Sequence, residues 1–161
     1  MARIRFHDSN GGRWNRFDEL IPAESLGEFA GPELSSTIFI HERGDAQTMQ
    51  LAEVRYLPRI SIKAHAHDVD EIHYVIEGEL QIGSRAVRPG GSVFIARDTL
   101  YTLKTGEHGA RFLTFRAVGD LSYVTEQMWN ARRAGASTIP HPDASSGASS
   151  DPDHGSPRSS S

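Results

Sequence analysis

The sequence predicts an all-β fold, a sandwich or barrel of short strands. Three observations predict it. From Ser36 onward, runs rich in β-branched and aromatic residues follow one another at short spacing. Gly, Pro and Asp stand at the joints between the runs, and a helical period enters only after Asp120. Such a pattern belongs to an antiparallel fold rather than to βαβ units.

Residues 1–35 are punctuated by Gly and Pro, with Trp14, Phe17, Leu20, Ile21, Leu26 and Phe29 scattered through them. They read as an irregular N-terminal arm with a short helix, whose aromatics need a surface to cover. That surface is the arm's own barrel or a second subunit. Strands are expected at 37–41, 48–57, 60–67, 71–76, 79–82, 85–88, 92–96, 100–104 and 111–118, so that residues 36–118 form the β domain. Glu77-Gly78 and Gly83-Ser84 read as tight hairpin turns.

Beyond the strands the period changes. Leu121, Val124, Met128 and Trp129 recur at helical spacing after Asp120, a candidate N-cap, and Arg132 and Arg133 precede Gly135. Residues 119–134 are therefore expected to form one amphipathic helix with its apolar stripe in the core. The segment 135–161 holds nine Ser, four Pro and three Gly in 27 residues. It has too little apolar surface to offset its ordering entropy and reads as a disordered tail.

Composition narrows the function. A chain of 161 residues suits one domain. Its formal net charge is −4 and no run of Lys or Arg follows any strand, which argues against a nucleic-acid partner. Cysteine is absent, so there are no disulfides, and any metal would meet only nitrogen and oxygen donors. No apolar h-region opens the chain, and no apolar run approaches the ~18 residues of a membrane span. A cytoplasmic protein without a membrane partner is expected.

The chemistry concentrates in His65-x-His67-x3-Glu71. On an extended strand alternate side chains share a face, which puts His65 and His67 about 6.6 Å apart and able to converge. Asp68-Val69-Asp70 is a polar linker, and Glu71 opens the next strand. Two imidazoles and a carboxylate make a facial triad that leaves coordination positions open, as non-haem Fe(II) sites do. A pair of surface histidines on an edge strand is the alternative. The same alternation puts Lys63 beside His65 and His67 as a charge clamp for an anionic substrate, or as a strand-end lysine reaching solvent. His73 falls on the side of Glu71, as an acid–base group, a residue that orients a ligand, or a buried ring bonded to a carbonyl.

Downstream, Gly83-x5-Pro89-x-Gly91 leads into a further strand. Together with His65-x-His67-x3-Glu71-x6-Gly78 this resembles the cupin superfamily, over roughly residues 36 to 118. The resemblance implies a jelly-roll β-barrel, a homodimer, and a divalent metal held by three histidines and a carboxylate, here His65, His67 and Glu71. The second-motif histidine of the family falls on Tyr101. Tyrosine has a reference pKa near 10 and is a poor neutral ligand. Three readings of Tyr101 follow: a metal-bound phenolate, a hydrogen-bond donor or general acid over a three-ligand metal, or the mark of a site that has lost its metal. The implied function is a metal-dependent enzyme acting on a small oxygenated organic substrate. A non-haem Fe(II) dioxygenase is the first expectation. A Zn, Mn or Ni lyase, isomerase or cyclase, or a non-catalytic small-molecule-binding cupin, are the alternatives.

Overall fold

A computed structural model describes residues 4–20, 32–120 and 122–136. Among them nine strands form one curled antiparallel sheet: β1 (Asn15–Arg16), β2 (Thr37–Glu42), β3 (Gln50–Tyr56), β4 (Ser61–Ala66), β5 (Glu71–Ile82), β6 (Arg85–Val87), β7 (Ser92–Ile95), β8 (Tyr101–Arg116) and β9 (Val124–Thr125). The α-helices among the described residues are the single turn α1 (Phe17–Leu20) and α2 (Glu126–Ala136), and a 3-10 turn spans Pro32–Ser35. None of the described helices is long and apolar enough to cross a membrane.

Strand β8 is the hub, pairing with β3, β4 and β5. Its last residues lie between β3 and β5, so each inward position of β8 faces two partners. Arg116 stands opposite both Gln50 and Glu71, Thr114 opposite Ala52 and His73, and Phe112 opposite Val54 and Val75. These three rows run from a polar end of the barrel to its apolar core. Paired residues on one face of adjacent strands have touching side chains, so the rows prescribe which groups meet. Val54, Ile60, Ile62, Val75, Leu80, Leu103 and Phe112 are buried at the core.

The turn expected at Glu77-Gly78 is instead a bulge within one long strand. Gly78 adopts φ +73°, and the register of β5 against β8 shifts on both sides of it. The bulge changes the phase of the strand: Glu71, His73 and Val75 face inward before it, and Leu80 after it. Likewise 100–104 and 111–118 belong to a single strand, whose segment 106–109 bulges out between the pairs Leu80 with Thr105 and Gly78 with Ala110. Gly83-Ser84 does close a two-residue hairpin between β5 and β6.

Both ends of the chain depart from the simple reading. Near the N-terminus Phe17 stacks on Tyr56 at 5.5 Å, Trp14 packs on Phe39, and the Arg55 guanidinium lies over the Trp14 ring. These arm residues cover their own barrel, while Ile21, Leu26 and Phe29 lie outside the described residues. Val124 is in β9 rather than in a helix, and Thr125 receives the Met128 amide as the helix cap in place of Asp120. The stripe of α2 is not core, since Met128 is 44% exposed. Trp129 and Arg132 tether the helix through the Asp98 carbonyl and the Asp68 carboxylate. Leu121 and residues 137–161 lie outside the described residues.

Candidate functional site

The barrel encloses a cavity of about 510 Å³. Its upper wall is apolar, with Phe17, Leu20, Ile38, Val54 and Phe112, and its floor is polar. Five residues singled out in the sequence meet on that floor: His65, His67, Glu71, His73 and Tyr101. Lys63 does not. A bulge in β4 between Ile62 and His65 changes the alternation, so Ile62 and His65 face the cavity while the Lys63 side chain is exposed. The bulge therefore removes the basis for the expected charge clamp.

Glu71 is the centre of the floor, and its side chain is 1% exposed. The Tyr101 hydroxyl donates to Oε1 at 2.6 Å, and Arg116 donates to Oε2 from Nη2 at 2.8 Å and from Nε at 3.1 Å. Burial would raise the Glu71 pKa. Electrostatic interaction with His73, His67 and Arg116, with the Tyr101 hydrogen bond, outweighs burial and lowers it to about 2. The same desolvation, reinforced by Glu71, pushes the Tyr101 phenol well above its ordinary value. Tyr101 is thus a protonated donor in this arrangement.

Arg116 was not legible as a site residue, yet it organises the floor. Nη1 donates to Gln50 Oε1 at 3.2 Å and to the Asp120 carbonyl at 3.1 Å, and Nη2 reaches His67 Nε2 at 3.1 Å. A guanidinium can only donate, so His67 Nε2 is the acceptor and Nδ1 carries that ring's proton. That Nδ1 lies 3.3 Å from Asp120 Oδ2 without hydrogen-bond alignment. Asp120 also accepts from the Ser122 amide and hydroxyl. Burial acts to raise its pKa, but His67, Ser122 and Arg116 together lower it to about 2.

The remaining imidazoles are held as neutral rings. His65 Nδ1 bonds to the Lys63 carbonyl at 2.9 Å, which fixes the proton there and turns Nε2 into the lone-pair nitrogen. Its ring stacks on Tyr123 at 4.8 Å. His73 Nδ1 lies 3.0 Å from Thr114 Oγ1, and among the described residues its buried Nε2 has no hydrogen-bond partner. Desolvation is the main cause that lowers His65 and His73 to about 4.

Whether these residues suit a divalent metal depends on which donors are available. His65 Nε2 fits, and the unpartnered His73 nitrogen is compatible. The carboxylate does not fit, because one of its oxygens is bound to the Arg116 guanidinium, whose charge would repel an ion. His67 Nε2, the other would-be donor, faces that same cation. Among the described residues no three His, Asp or Glu side chains are grouped to hold a metal ion. As arranged here, Arg116 takes the place between His67 and Glu71 that an ion would need.

The architecture is an antiparallel barrel with a polar floor at the end of its longest strands, and structural comparison places it among cupin folds. The structure of KdgF from Halomonas sp. superimposes with a TM-score of 0.53 at 15% identity, covering 70% of this chain and 94% of that one. An RmlC-like cupin protein from Ralstonia eutropha gives a TM-score of 0.54 at 11% identity, covering 80% and 83%. No protein-family profile matches the chain, and no curated protein matches it by sequence. The chain has the cupin fold.

Gln50, Thr114 and Arg116 escaped the sequence reading, which took Asp120 only as a helix N-cap. One signal was present: Phe112, Thr114 and Arg116 share a parity on the last barrel strand, so an inward Phe implies an inward Arg. A cation on a core-facing parity needs an acidic partner, and Glu71 was available.

Proposed function

We propose that the chain is a cupin-type protein that binds a small organic molecule in the barrel, with Arg116 rather than a metal ion as the resident cation on Glu71. The observation that carries this reading is the position of the Arg116 guanidinium, within hydrogen-bond distance of both Glu71 and His67. A divalent ion and a guanidinium cannot share one carboxylate without strong mutual repulsion. Glu71, Tyr101 and His73 supply a carboxylate, a phenol and a neutral imidazole in one cavity. This set can bind oxygen groups and move a proton. Enzymatic proton transfer and simple binding both use it.

The two imidazoles with free or unpartnered nitrogens, His65 and His73, favour a second reading. If Arg116 swings away, His65, His67 and Glu71 would hold Fe(II) for oxygen chemistry, or Zn, Mn or Ni for Lewis-acid chemistry, as the motif led one to expect. Elemental analysis of the untagged protein, with calorimetric titration of Fe(II), Zn(II), Mn(II) and Ni(II), separates the two readings. The first predicts less than about 0.1 metal per chain, no saturable binding, and a melting temperature unmoved by EDTA. One tightly held ion per chain, lost in His65→Ala, would replace it with the second.

A further inference from the structure

We propose that the ligand of this cavity is an uncharged molecule with an apolar body and a hydroxyl head, and that the cavity discriminates against carboxylates. The inference rests on the reading of Arg116 as resident cation and names the ligand class that follows from it.

Arg116 has five N–H donors, and all five are engaged. Nε and one Nη2 hydrogen go to Glu71, the other Nη2 hydrogen to His67, and the two on Nη1 to Gln50 and the Asp120 carbonyl. A carboxylate entering the cavity would have to break one of these bonds to be held by the guanidinium. Asp120 Oδ2 also lies 3.6 Å from Arg116 Nη1, so one guanidinium faces two carboxylates and the floor carries an excess negative charge. Among the described residues no other Lys or Arg lines the cavity, and Lys63 is outside it. An anion would lose its hydration and meet a field of its own sign.

A hydroxyl meets the opposite situation. His73 Nε2 is buried without a partner among the described residues, and it lies 3.7 Å from Glu71 Oε1. One oxygen bearing one proton can bridge that gap. When Thr114 donates its hydroxyl proton to His73 Nδ1, Nε2–H donates to the ligand oxygen and the ligand O–H donates to Glu71 Oε1. Every donor in that relay then has an acceptor, and an ether or a carboxylate cannot complete it, lacking the proton for Glu71. Above this floor the walls of Phe17, Ile38, Val54 and Phe112 suit a ring or alkyl body.

Fluorescence titration of the full chain at pH 7 with 2-naphthol, 2-methoxynaphthalene and 2-naphthoate tests the assignment. The naphthol should bind at least about tenfold more tightly than either of the others. Glu71→Gln removes one negative charge and should narrow the gap between naphthol and naphthoate. If that variant does not fold, the wild-type comparison decides alone. Naphthoate binding as tightly as naphthol overturns the charge discrimination, and methoxynaphthalene doing so overturns the hydroxyl assignment, while the cavity reading survives both. Failure of all three to bind, or binding undiminished by Ile40→Trp in the cavity wall, overturns the cavity reading and this inference with it.

Discussion

Arg116 sends two donors to a single oxygen of Glu71, at 2.8 and 3.1 Å, and leaves the other oxygen to Tyr101. The pair is nearly dry, with side-chain exposures of 12% and 1%. A buried pair of this kind is weak evidence for stability when both members are present, but removal of one member strands the other. Arg116→Leu should therefore cost about 3–5 kcal/mol in urea denaturation. The double variant Arg116→Leu with Glu71→Leu should recover most of that loss. A double variant as unstable as the single one would show that packing, not the stranded charge, sets the cost.

Acid should weaken the fold in two stages, and the signs agree. His65 and His73 are lowered from 6.5 to about 4. Between those values the unfolded chain binds protons that the folded chain refuses, so stability falls as pH falls from 6.5 toward 4. The size is at most about 3 kcal/mol per ring. Glu71, lowered from 4.5 to about 2, contributes stability that is present above 4.5 and lost as pH falls toward 2. Urea midpoints at pH 7.5, 5.5 and 4.5 should decline steadily, and His73→Gln should flatten the decline. A midpoint constant down to pH 4.5 would mean that the rings are not held neutral.

Much of the site could be read from the chain because its motif is local. His65, His67 and Glu71 lie within seven residues, and alternation along two strands suffices to aim them at one cavity. Arg116 lies 45 residues beyond Glu71, so the contact depends on strand pairing that no local pattern encodes. Bulges were equally hidden. The one in β4 turned Lys63 outward, and the one at Gly78 joined two expected strands into one. Glycine after a hydrophobic run signals a hairpin and a bulge alike, and only the partner strand distinguishes them.

Tyr101 is expected to stay a phenol through the neutral range. Burial and the adjacent Glu71 carboxylate both oppose its ionisation. Absorbance at the tyrosinate band should show no transition assignable to Tyr101 below about pH 10, judged against Tyr101→Phe. The same variant should lose about 1–3 kcal/mol, because Oε1 of a buried carboxylate loses its donor. A tyrosinate signal at pH 7 that vanishes in Tyr101→Phe would instead restore the phenolate reading.

Gly78 and Gly83 share a left-handed backbone and differ in their surroundings, which separates conformational strain from collision. Gly78 has φ +73°, and a Cβ there would run into the Gly109 carbonyl and the Ala110 backbone. The obstacle is backbone alone, which leaves nothing flexible to yield. Gly83 has φ +58° in the β5–β6 hairpin and open space around it. Ala at Gly83 should thus cost about 1 kcal/mol, the strain alone. Ala at Gly78 adds the collision and should cost about 3 kcal/mol or more. Because the Gly78 bulge sets the phase that keeps both Val75 and Leu80 in the core, Gly78→Ala should also raise amide exchange along β5 and β8. Equal costs at the two glycines would show that the bulge can shift its register without resistance. The alignment of Glu71 with Arg116 would then have to be fixed by their own hydrogen bonds.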